Sequence, residues 1–528
     1  MKERLLTLLF LGMCILAHSQ NEANIWIVGE DFGFDFNFGR FQFFDRPEFK
    51  EEAFQTTASI CDPVTGELLF FFYENRVWNR SFSLMPNGDD IMSGSGFGQQ
   101  ALIVPHPNNR NRFYLFTVVS TTRIDGSISE NNGLYYSLID MRLKGGLGDV
   151  VSGTKNTLLI SNPIEALTGT LHANGRDFWI ITREYDSNRF VVFRLSNEGV
   201  LSPSFQPFGL VYPPFPIGIS SGMLQFSPNR AYLAFRFDLS GQPFESDGSP
   251  RELSPLELYD FDASSGIISN RRVLGNFFGN ASIAFSPNNK KLYYADLHAN
   301  PGLFTEYLNQ YDLTASSTQG IINSRETLLW TYSPIFDDSN TEASIRYHKM
   351  QLAPDGRLYN GWSGVMRDDE TDSLQKRVIF YLDNPNATLD ETDPSFRFLS
   401  SPNNVEPQAG TIELDFPNFM QYYFNGLEPR PEGPTANECA NMDVTLYPNP
   451  TKGPLYIETE IQNCLYPAAV SIYSMAGQEL LKEKLIREGP FPTIDLSSYA
   501  DGVYFLKLET FQKMQLKRII KKSNTQQP

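Results

Sequence analysis

A short motif that recurs along the chain restricts its fold more than any other feature. The stretches 224–229, 283–288 and 350–355 each show alternating apolar residues followed by Pro and then by Asn or Asp. Alternation predicts a strand, Pro-Asn predicts a tight turn, and the apolar run that follows predicts a second strand. The prolines Pro228, Pro287 and Pro354 are separated by 59 and 67 residues. One supersecondary unit therefore repeats at a spacing typical of β-propellers.

The same pattern predicts further units before and after these three. The composition agrees, because 42 Phe, 24 Tyr, 38 Gly and 34 Pro favour many short strands joined by turns. We predict an all-β fold with a propeller of seven blades, and of six blades as the alternative. The further units are predicted at residues 57–73, 101–140 and 171–195, with a last unit formed by 410–416 and 420–424.

The N-terminal residues of the mature chain are predicted to close the ring. Asn24–Val28 has the pattern of an apolar strand, and the segment 29–39 alternates aromatic with small or polar residues. Propellers must protect their sheet edges, and pairing an N-terminal strand with the last blade is a common solution. We therefore predict that Asn24–Val28 pairs with the last blade.

The first residues predict export. Two basic residues precede the apolar run 5–17, and small residues occupy the −3 and −1 positions before Gln20. We predict a signal peptide over residues 1–19. The apolar run has 13 residues, too few to span a bilayer as a helix, so no transmembrane segment is predicted in the mature chain. Cys14 leaves lipidation as a less favoured alternative, since Met rather than a small residue precedes it.

A change in composition divides the mature chain. Residues 428–440 lack periodicity and include three prolines in close order, which predicts a linker. We therefore predict a propeller domain over residues 20–427 and a separate domain over residues 441–528. The latter contains short alternating strands with turn glycines between them, and this pattern predicts a small Ig-like β-sandwich.

The C-terminal domain resembles a known family. Its motifs are Leu446–Pro450 followed by Gly453, then Ile472–Gly477, Asp501–Tyr504 and the basic end Lys517–Lys522. In combination they are similar to the type A C-terminal sorting domain of the type IX secretion system of Bacteroidota. The resemblance implies outer-membrane translocation with the translocon and its sorting protease as partners, then attachment to the cell surface or release. It assigns to the sorting signal the residues Tyr447, Pro448, Asn449, Pro450, Gly453, Gly477, Gly502, Tyr504, Lys521 and Lys522.

Charge and cysteine content limit the partners. The formal net charge of −18 argues against a nucleic-acid partner, because phosphate contacts need clustered Lys and Arg. Cys439 and Cys464 could form a disulfide in an oxidising, exported setting, which would leave Cys61 unpaired and buried. No Cys/His spacing typical of zinc sites occurs.

No catalytic residue and no cofactor is predicted. Leu-His-Ala-Asn occurs at Leu171 and again at Leu297, but the first copy precedes a middle strand and the second follows one. The two histidines should therefore lie at opposite ends of their blades and share no site. The acidic stretch 368–372 leaves calcium open as a ligand, although a solvated loop is the favoured interpretation.

Two functions remain open from the sequence. The repeat region resembles, less specifically, propeller-like segments of large surface proteins of the same bacteria, through stretches such as His172–Gly175 and Asp177–Trp179. We predict a secreted or surface-attached propeller that binds a glycan or a protein, as in adhesion. The alternative is an extracellular propeller hydrolase of polysaccharide, which requires two facing carboxylates. Two carboxylates with His or Arg at the central channel would favour the hydrolase, and small or apolar channel groups would favour binding.

Overall fold

The computed structural model describes most of the chain after the leader: residues 21–28, 32–37, 42–45, 57–94, 99–122, 127–211, 222–237, 254–277, 282–300, 303–334, 346–367, 373–387, 396–400, 416–428, 443–459, 468–486, 493–510 and 514–523. The chain divides into two compact units, one formed by residues up to 429 and the other by residues 430–528 with the short segment 35–42. The predicted leader, most of the linker, and both Cys439 and Cys464 lie outside the described residues. The signal peptide, the domain bounds and the disulfide therefore stay predictions.

Seven antiparallel sheets make up the described part of the first unit. In chain order their strands are, for sheet 1, β1 (Ile25–Ile27), β2 (Phe32–Asp35) and β3 (Gln42–Asp45); for sheet 2, β4 (Ala58–Cys61), β5 (Leu68–Tyr73) and β6 (Arg76–Asn79); for sheet 3, β7 (Ala101–His106), β8 (Asn109–Val119), β9 (Gly133–Asp140), β10 (Asp149–Val150) and β11 (Thr157–Ile160).

Sheets 4 to 7 continue the series. Sheet 4 has β12 (Thr168–Leu171), β13 (Phe178–Arg183), β14 (Arg189–Ser196), β15 (Gly199–Val200) and β16 (Ser204–Pro207); sheet 5 has β17 (Gly222–Phe226), β18 (Tyr232–Phe237), β19 (Ser254–Asp262) and β20 (Ile267–Phe277); sheet 6 has β21 (Ile283–Phe285), β22 (Lys291–Asn300), β23 (Leu303–Asp312) and β24 (Glu326–Pro334); sheet 7 has β25 (Arg346–Leu352), β26 (Leu358–Arg367), β27 (Ser373–Leu382) and β28 (Phe396–Ser400). The short helix α1 (Thr318–Asn323) and the 3-10 turns Lys144–Gly146, Ser152–Thr154 and Gln421–Phe424 interrupt them.

The first strands of sheets 1 to 7 contact one another in succession, so the sheets stand in chain order around an axis. The Ser59 hydroxyl of sheet 2 donates to the Ile25 carbonyl oxygen of sheet 1 at 2.6 Å. At the closing junction, the Trp26 ring of sheet 1 lies 5.8 Å from the Tyr359 ring of sheet 7, between centroids. The described residues thus close a ring of seven sheets, and the predicted all-β propeller is confirmed.

The apolar faces of adjacent sheets form the cores of the ring. Between sheets 4 and 5, Phe190 packs edge-on against Tyr259, with ring centroids 5.1 Å apart. Strand β13 is buried along its whole length, which is why its sequence is an apolar run rather than an alternation. The single cation of that strand, Arg183, is 1% exposed and pairs with the equally buried Glu257 at 3.3 Å. Burial of this charge is tolerated because it is paired.

A common turn ends the first strand of six sheets. In sheet 5 the Ser227 hydroxyl donates to the Asn229 side-chain oxygen at 2.7 Å, and Ser286 does the same to Asn288 in sheet 6 at 2.7 Å. In sheet 2, the Asp62 carboxylate accepts the N–H of Val64 at 2.9 Å. These local bonds stabilise the turn, and the Asn289 side chain of the next sheet accepts the Asn229 N–H at 2.8 Å. The repeated Pro-Asn motif is therefore an architectural feature.

The second unit is a sandwich of two sheets. Its strands are β29 (Thr445–Tyr447), β30 (Pro454–Glu458), β31 (Ala468–Ser474), β32 (Glu479–Ile486), β33 (Thr493–Asp495), β34 (Gly502–Thr510) and β35 (Met514–Lys521), in the orders β29-β30-β33 and β32-β31-β34-β35. Alternate side chains point into one apolar core that includes Leu455, Ile472 and Leu506. The predicted small β-sandwich is confirmed.

One part of the predicted ring closure is wrong and another is not tested. Strand β1 pairs with β2 inside sheet 1, and the predicted pairing of Asn24–Val28 with the last unit stays a prediction. Of the predicted last unit, residues 410–415 lie outside the described part, and Gln421–Phe424 form a 3-10 turn instead of a strand. Aromatic residues in that stretch mimic a strand pattern because they are buried on several sides at once, inside the ring.

Candidate functional site

Residues 416–428, which we call the threaded segment, occupy the centre of the ring. Phe416, Phe419, Met420 and Tyr423 are each at most 2% exposed, and the 3-10 turn contacts the first strands β12 and β17. We define the front face of the ring as the face at which the first strands begin, and the back face as the one at which they end. The segment runs through the channel from front to back.

Asn418 fixes the front end of the threaded segment. Its backbone N–H donates to the Thr57 carbonyl oxygen at 3.1 Å, and its side-chain Nδ2 donates to the carbonyl oxygens of Ala101 at 3.0 Å and Leu167 at 2.9 Å. Gln99 Nε2 donates in turn to Asn418 Oδ1 at 3.4 Å. One buried residue therefore joins the starts of sheets 2, 3 and 4, through its backbone N–H and its side chain.

The middle and back of the segment bond to sheets 6 and 7. Gln421 Nε2 donates to Gln351 Oε1 at 3.4 Å. The Gly426 N–H donates to the Pro287 carbonyl oxygen, in the turn after β21, at 2.9 Å. Asn386 Nδ2, in the turn after β27, donates to the Leu427 carbonyl oxygen at 3.0 Å. The chain therefore leaves the ring on its back face.

The groups that bind the threaded segment are mainly amides, carbonyls and aromatic rings. The side chains that bond to it are those of Gln99, Asn289, Gln351 and Asn386. Burial raises the pKa of the Tyr423 hydroxyl well above its usual range, with the neighbouring Tyr422 contributing. The side chains that bond to the segment are thus neutral amides, and the Glu22 carboxylate also contributes to the raised pKa of Tyr423.

A cluster of two carboxylates and one arginine does occur, in the turn of sheet 7. Arg357 Nη1 lies 3.2 Å from Asp355 Oδ2, and Arg357 Nε lies 2.5 Å from Asp383 Oδ1. The Tyr359 hydroxyl donates to Asp355 Oδ2 at 2.7 Å. Burial raises the pKa of Asp355, although Arg357 opposes this effect. Because these groups bind one another, the cluster is a buried ion-pair network that holds the turn.

The histidines take the place of the turn serine in two sheets. His106 Nδ1 accepts the N–H of Asn108 at 3.2 Å, and His172 Nδ1 accepts the N–H of Asn174 at 2.9 Å. Burial lowers the pKa of both histidines, which favours the neutral ring that can accept this bond. The second Leu-His-Ala-Asn copy ends strand β22 on the front face, whereas His172 lies on the back face. The two copies share no site.

The sorting motif docks on the last strand of the sandwich. Asn449 Nδ2 donates to the Arg518 carbonyl oxygen at 2.8 Å, and Asn449 Oδ1 accepts the Ile520 N–H at 2.9 Å. The Thr451 N–H donates to the Ile520 carbonyl oxygen at 2.8 Å, and the Lys522 N–H donates to the Thr451 carbonyl oxygen at 2.9 Å. The two parts of the signal, far apart in sequence, are therefore neighbours in space.

The two lysines of the basic end have different surroundings. The Lys521 side chain is 3% exposed, and its ammonium lies 3.6 Å from Asp501 Oδ1 and 3.1 Å from Ser523 Oγ. Hydrogen bonds from Ser523 lower the pKa of Asp501, with a smaller contribution from Lys521. Lys522, by contrast, is exposed. Sequence reasoning named both lysines, but it missed Asp501 and Ser523 as the groups that hold the first.

The remaining signal residues shape the module. Gly453 has no room for a side chain, because a Cβ there would lie 2.0 Å from Ser497 Oγ. Gly477 adopts φ +78°, a conformation that favours glycine, whereas Gly502 meets no close neighbour. The Tyr504 hydroxyl donates to the Ala500 carbonyl oxygen at 2.6 Å. The other signal residues, Tyr447, Pro448 and Pro450, are exposed, and the peptide bonds before both prolines are cis.

The described residues test only part of the cysteine and metal predictions. Cys61 is buried. Among the described residues, no group of three or more His, Cys, Asp or Glu is placed to hold a metal ion. The acidic stretch 368–372, which left calcium open, lies outside those residues.

Comparison with known proteins identifies the second unit. A family model described as the secretion system C-terminal sorting domain matches residues 445–522, which confirms the resemblance seen in the sequence. A chain with this domain is exported, and the protein is secreted or attached to the outer-membrane surface. No helix in the described part is long and apolar enough to cross a membrane. No curated protein matches the chain.

Solved structures with a similar course share little sequence. Drosophila semaphorin 2a has 8% identity and a TM-score of 0.30, over 96% of this chain and 97% of that one. A glycoside hydrolase family 43 arabinoxylan arabinofuranohydrolase from Bacillus subtilis has 9% identity and a TM-score of 0.26, over 81% and 93%. An auxiliary nutrient binding protein from Bacteroides thetaiotaomicron has 10% identity and a TM-score of 0.29, over 58% and 66%. At these values nothing about ligand or activity transfers to this chain.

Proposed function

We propose that the propeller of this exported chain binds a glycan or a protein outside the cell, through the front face of its ring. The observation that supports this proposal is the threaded segment. It fills the channel in which a propeller hydrolase would hold its substrate, and it does so with groups such as Asn418 and Gln421 that bond to the ring itself. The channel is thereby reserved for the chain, and the faces remain for a ligand.

The front face is favoured over the back face for two reasons. The back face carries the short turns of the first strands, whose side chains, such as Ser227 and Ser286, bond within the turn. It also carries the exit of the chain at Leu427, where the linker to the sorting module begins. The front face instead carries the connections between sheets, and connecting segments are where binding residues most often lie.

The test compares matched variants of the full-length chain on an array of polysaccharides and extracellular proteins. One variant replaces three exposed apolar residues of the front face by Asp, and the other replaces three of the back face. The front-face residues are Ile128, Leu210 and Val211, and the back-face residues are Val64, Leu143 and Ile267. We expect the front-face variant to lose binding by tenfold or more, since each buried apolar contact contributes about 1 kcal/mol or more, and the back-face variant to bind as the parent does.

Parallel incubation of the parent chain with the bound polysaccharides measures turnover. Binding without release of reducing sugar is the expected result. Release of sugar at a catalytic rate would replace the proposal with the hydrolase. If only the back-face variant lost binding, the ligand would bind to the back face, and the proposed front-face site would be wrong.

A further inference from the structure

The threaded segment contacts all seven sheets. Phe416 packs on Trp26 of sheet 1, with ring centroids 5.3 Å apart. Asn418 bonds to the carbonyl oxygens at the starts of sheets 2, 3 and 4. The 3-10 turn contacts β17 of sheet 5, Gly426 bonds to the turn of sheet 6, and Gln421 bonds to Gln351 of sheet 7. No single sheet of the ring has so wide a set of neighbours.

The threaded segment contributes most to ring stability at the junction between sheets 1 and 7. Sheet 1 consists of strands of only three or four residues, and in the described part it shares no strand pair with sheet 7. The described contacts across the junction are between aromatic rings: Trp26 and Phe34 lie against Tyr359 of sheet 7 at 5.8 Å and 6.4 Å between centroids. Phe416 also packs on Phe34, at 6.2 Å. The threaded segment therefore completes the junction.

We propose that residues 416–428 are a clasp that holds the ring closed at the junction of sheets 1 and 7, and that the clasp makes the ring independent of the sorting module. The bonds of the clasp to the ring involve residues up to Glu428, whose carboxylate accepts from Asn386 Nδ2 at 3.3 Å. The linker begins directly afterwards. A cut in the linker therefore leaves every one of these bonds in place.

Asn418 is the residue on which the clasp depends most. It is 7% exposed, and its side chain serves two backbone carbonyl oxygens and one glutamine. Its replacement by Ala leaves the carbonyl oxygens of Ala101 and Leu167 without this donor in a buried place. The free-energy cost of leaving a buried acceptor unsatisfied exceeds the average contribution of a hydrogen bond to stability.

Hydrogen exchange of the full-length chain, followed by mass spectrometry, tests the clasp. We expect Asn418→Ala to raise the exchange rate of β1 and of the first strands β7 and β12 by about tenfold or more. The matched control is Asn156→Ala. Asn156 also makes two bonds to backbone groups, to Met92 and Asp90, but on the rim of sheet 3. Its loss should affect exchange only near those residues.

Exchange that rises in Asn418→Ala within residues 416–428 alone, with β1, β7 and β12 unchanged, would overturn the proposal. If Asn418→Ala does not fold, the milder Phe416→Leu makes the same test, because it keeps an apolar side chain and removes only the ring that packs on Trp26 and Phe34. It should raise exchange in β1 and β26.

A specific protease site inserted after Pro434 tests independence from the module. Cleavage of the folded full-length chain should leave the exchange rates of sheets 1 to 7 and of residues 416–428 unchanged. Faster exchange at the junction of sheets 1 and 7 after cleavage would show that the module, rather than the clasp, holds the ring closed. The result does not depend on which ligand the ring binds, so the clasp and the proposed function can fail separately.

Discussion

The ring and the sorting module use conspicuous polar residues in opposite ways. In the ring, residues that suggest chemistry are bound to their own surroundings: His172 caps a turn, and Asp355 is held by Arg357 and Tyr359. In the module, the motif around Asn449 and the basic end of the chain meet at one edge of the sandwich, and Lys522 is exposed beside them. The same residue types therefore stabilise the fold in the ring, whereas some of them are exposed to solvent in the module.

This difference shows what makes a short motif informative. A Pro-Asn pair has a mainly local explanation, because its side chains form hydrogen bonds within its own turn. The parts of the sorting signal are separated in sequence yet adjacent in the fold, and this arrangement suits recognition by another protein. The repeated motif of the ring therefore indicates its fold, whereas the motifs of the module indicate export.

The largest expected effect separates the two terminal lysines. We expect Lys522→Met to leave the melting temperature of the full-length chain unchanged and to reduce its display at the cell surface several-fold, because we propose that its exposed ammonium is bound by the export machinery. Lys521→Met should instead lower the free energy of unfolding of the module by about 1–2 kcal/mol, since it removes the bonds to Asp501 and Ser523.

Surface labelling of intact cells and thermal unfolding of the purified variants measure the two effects. The opposite pattern, with a destabilised Lys522→Met and a fully stable but undisplayed Lys521→Met, would reverse the assignment of the presented charge. It would also weaken the contrast between buried and presented charges within the module.

A smaller effect tests whether carboxylates of the ring are structural. Asp140 is buried and bonds to Arg112 at 2.9 Å and to Arg142 at 2.6 Å. The hydrogen bond from Arg142 is the main reason that the pKa of Asp140 lies well below its usual range. A depressed carboxyl pKa contributes stability above the unfolded pKa of about 4, and this stability is lost as the pH falls below it.

We therefore expect Asp140→Asn to lower the free energy of unfolding at pH 7 by about 1–3 kcal/mol. The difference from the parent chain should shrink as the pH is lowered from about 4 toward the depressed pKa. Denaturant titrations at several pH values measure it. The control is Asp89→Asn. The Asp89 carboxylate is exposed and has an ion pair with Lys155 Nζ at 3.3 Å, so this change should alter the free energy of unfolding by less than about 1 kcal/mol. Equal losses in both variants would contradict a structural role for Asp140.

The sequence predicts local features of the ring well and long-range ones poorly. The turns after Leu224 and Ile283 follow from residues within a few positions of one another, and they form as predicted. The stretch 420–424 has strand-like apolar spacing, but it is buried by several sheets at once, and no local pattern distinguishes that environment from a sheet. The predicted pairing of Asn24–Val28 with the last unit stays a prediction, because residues 410–415 of that unit lie outside the described residues.

In the module, the motif residues were predictable and their roles were not. The match over residues 445–522 follows from residues that can be seen in the sequence. The burial of Lys521 depends on Asp501, which is brought to it by the pairing of Gly502 with Lys521 across β34 and β35. That register is a property of the folded sandwich, and adjacent lysines in a sequence give no indication of it.

The most direct test of the whole account is the location of a chain that lacks residues 441–528. The account predicts that this chain accumulates in the periplasm with its propeller folded, as judged by protease resistance, and that none of it is labelled on intact cells. Surface labelling of the truncated chain at the level of the parent would contradict the account, because export would then depend on the ring.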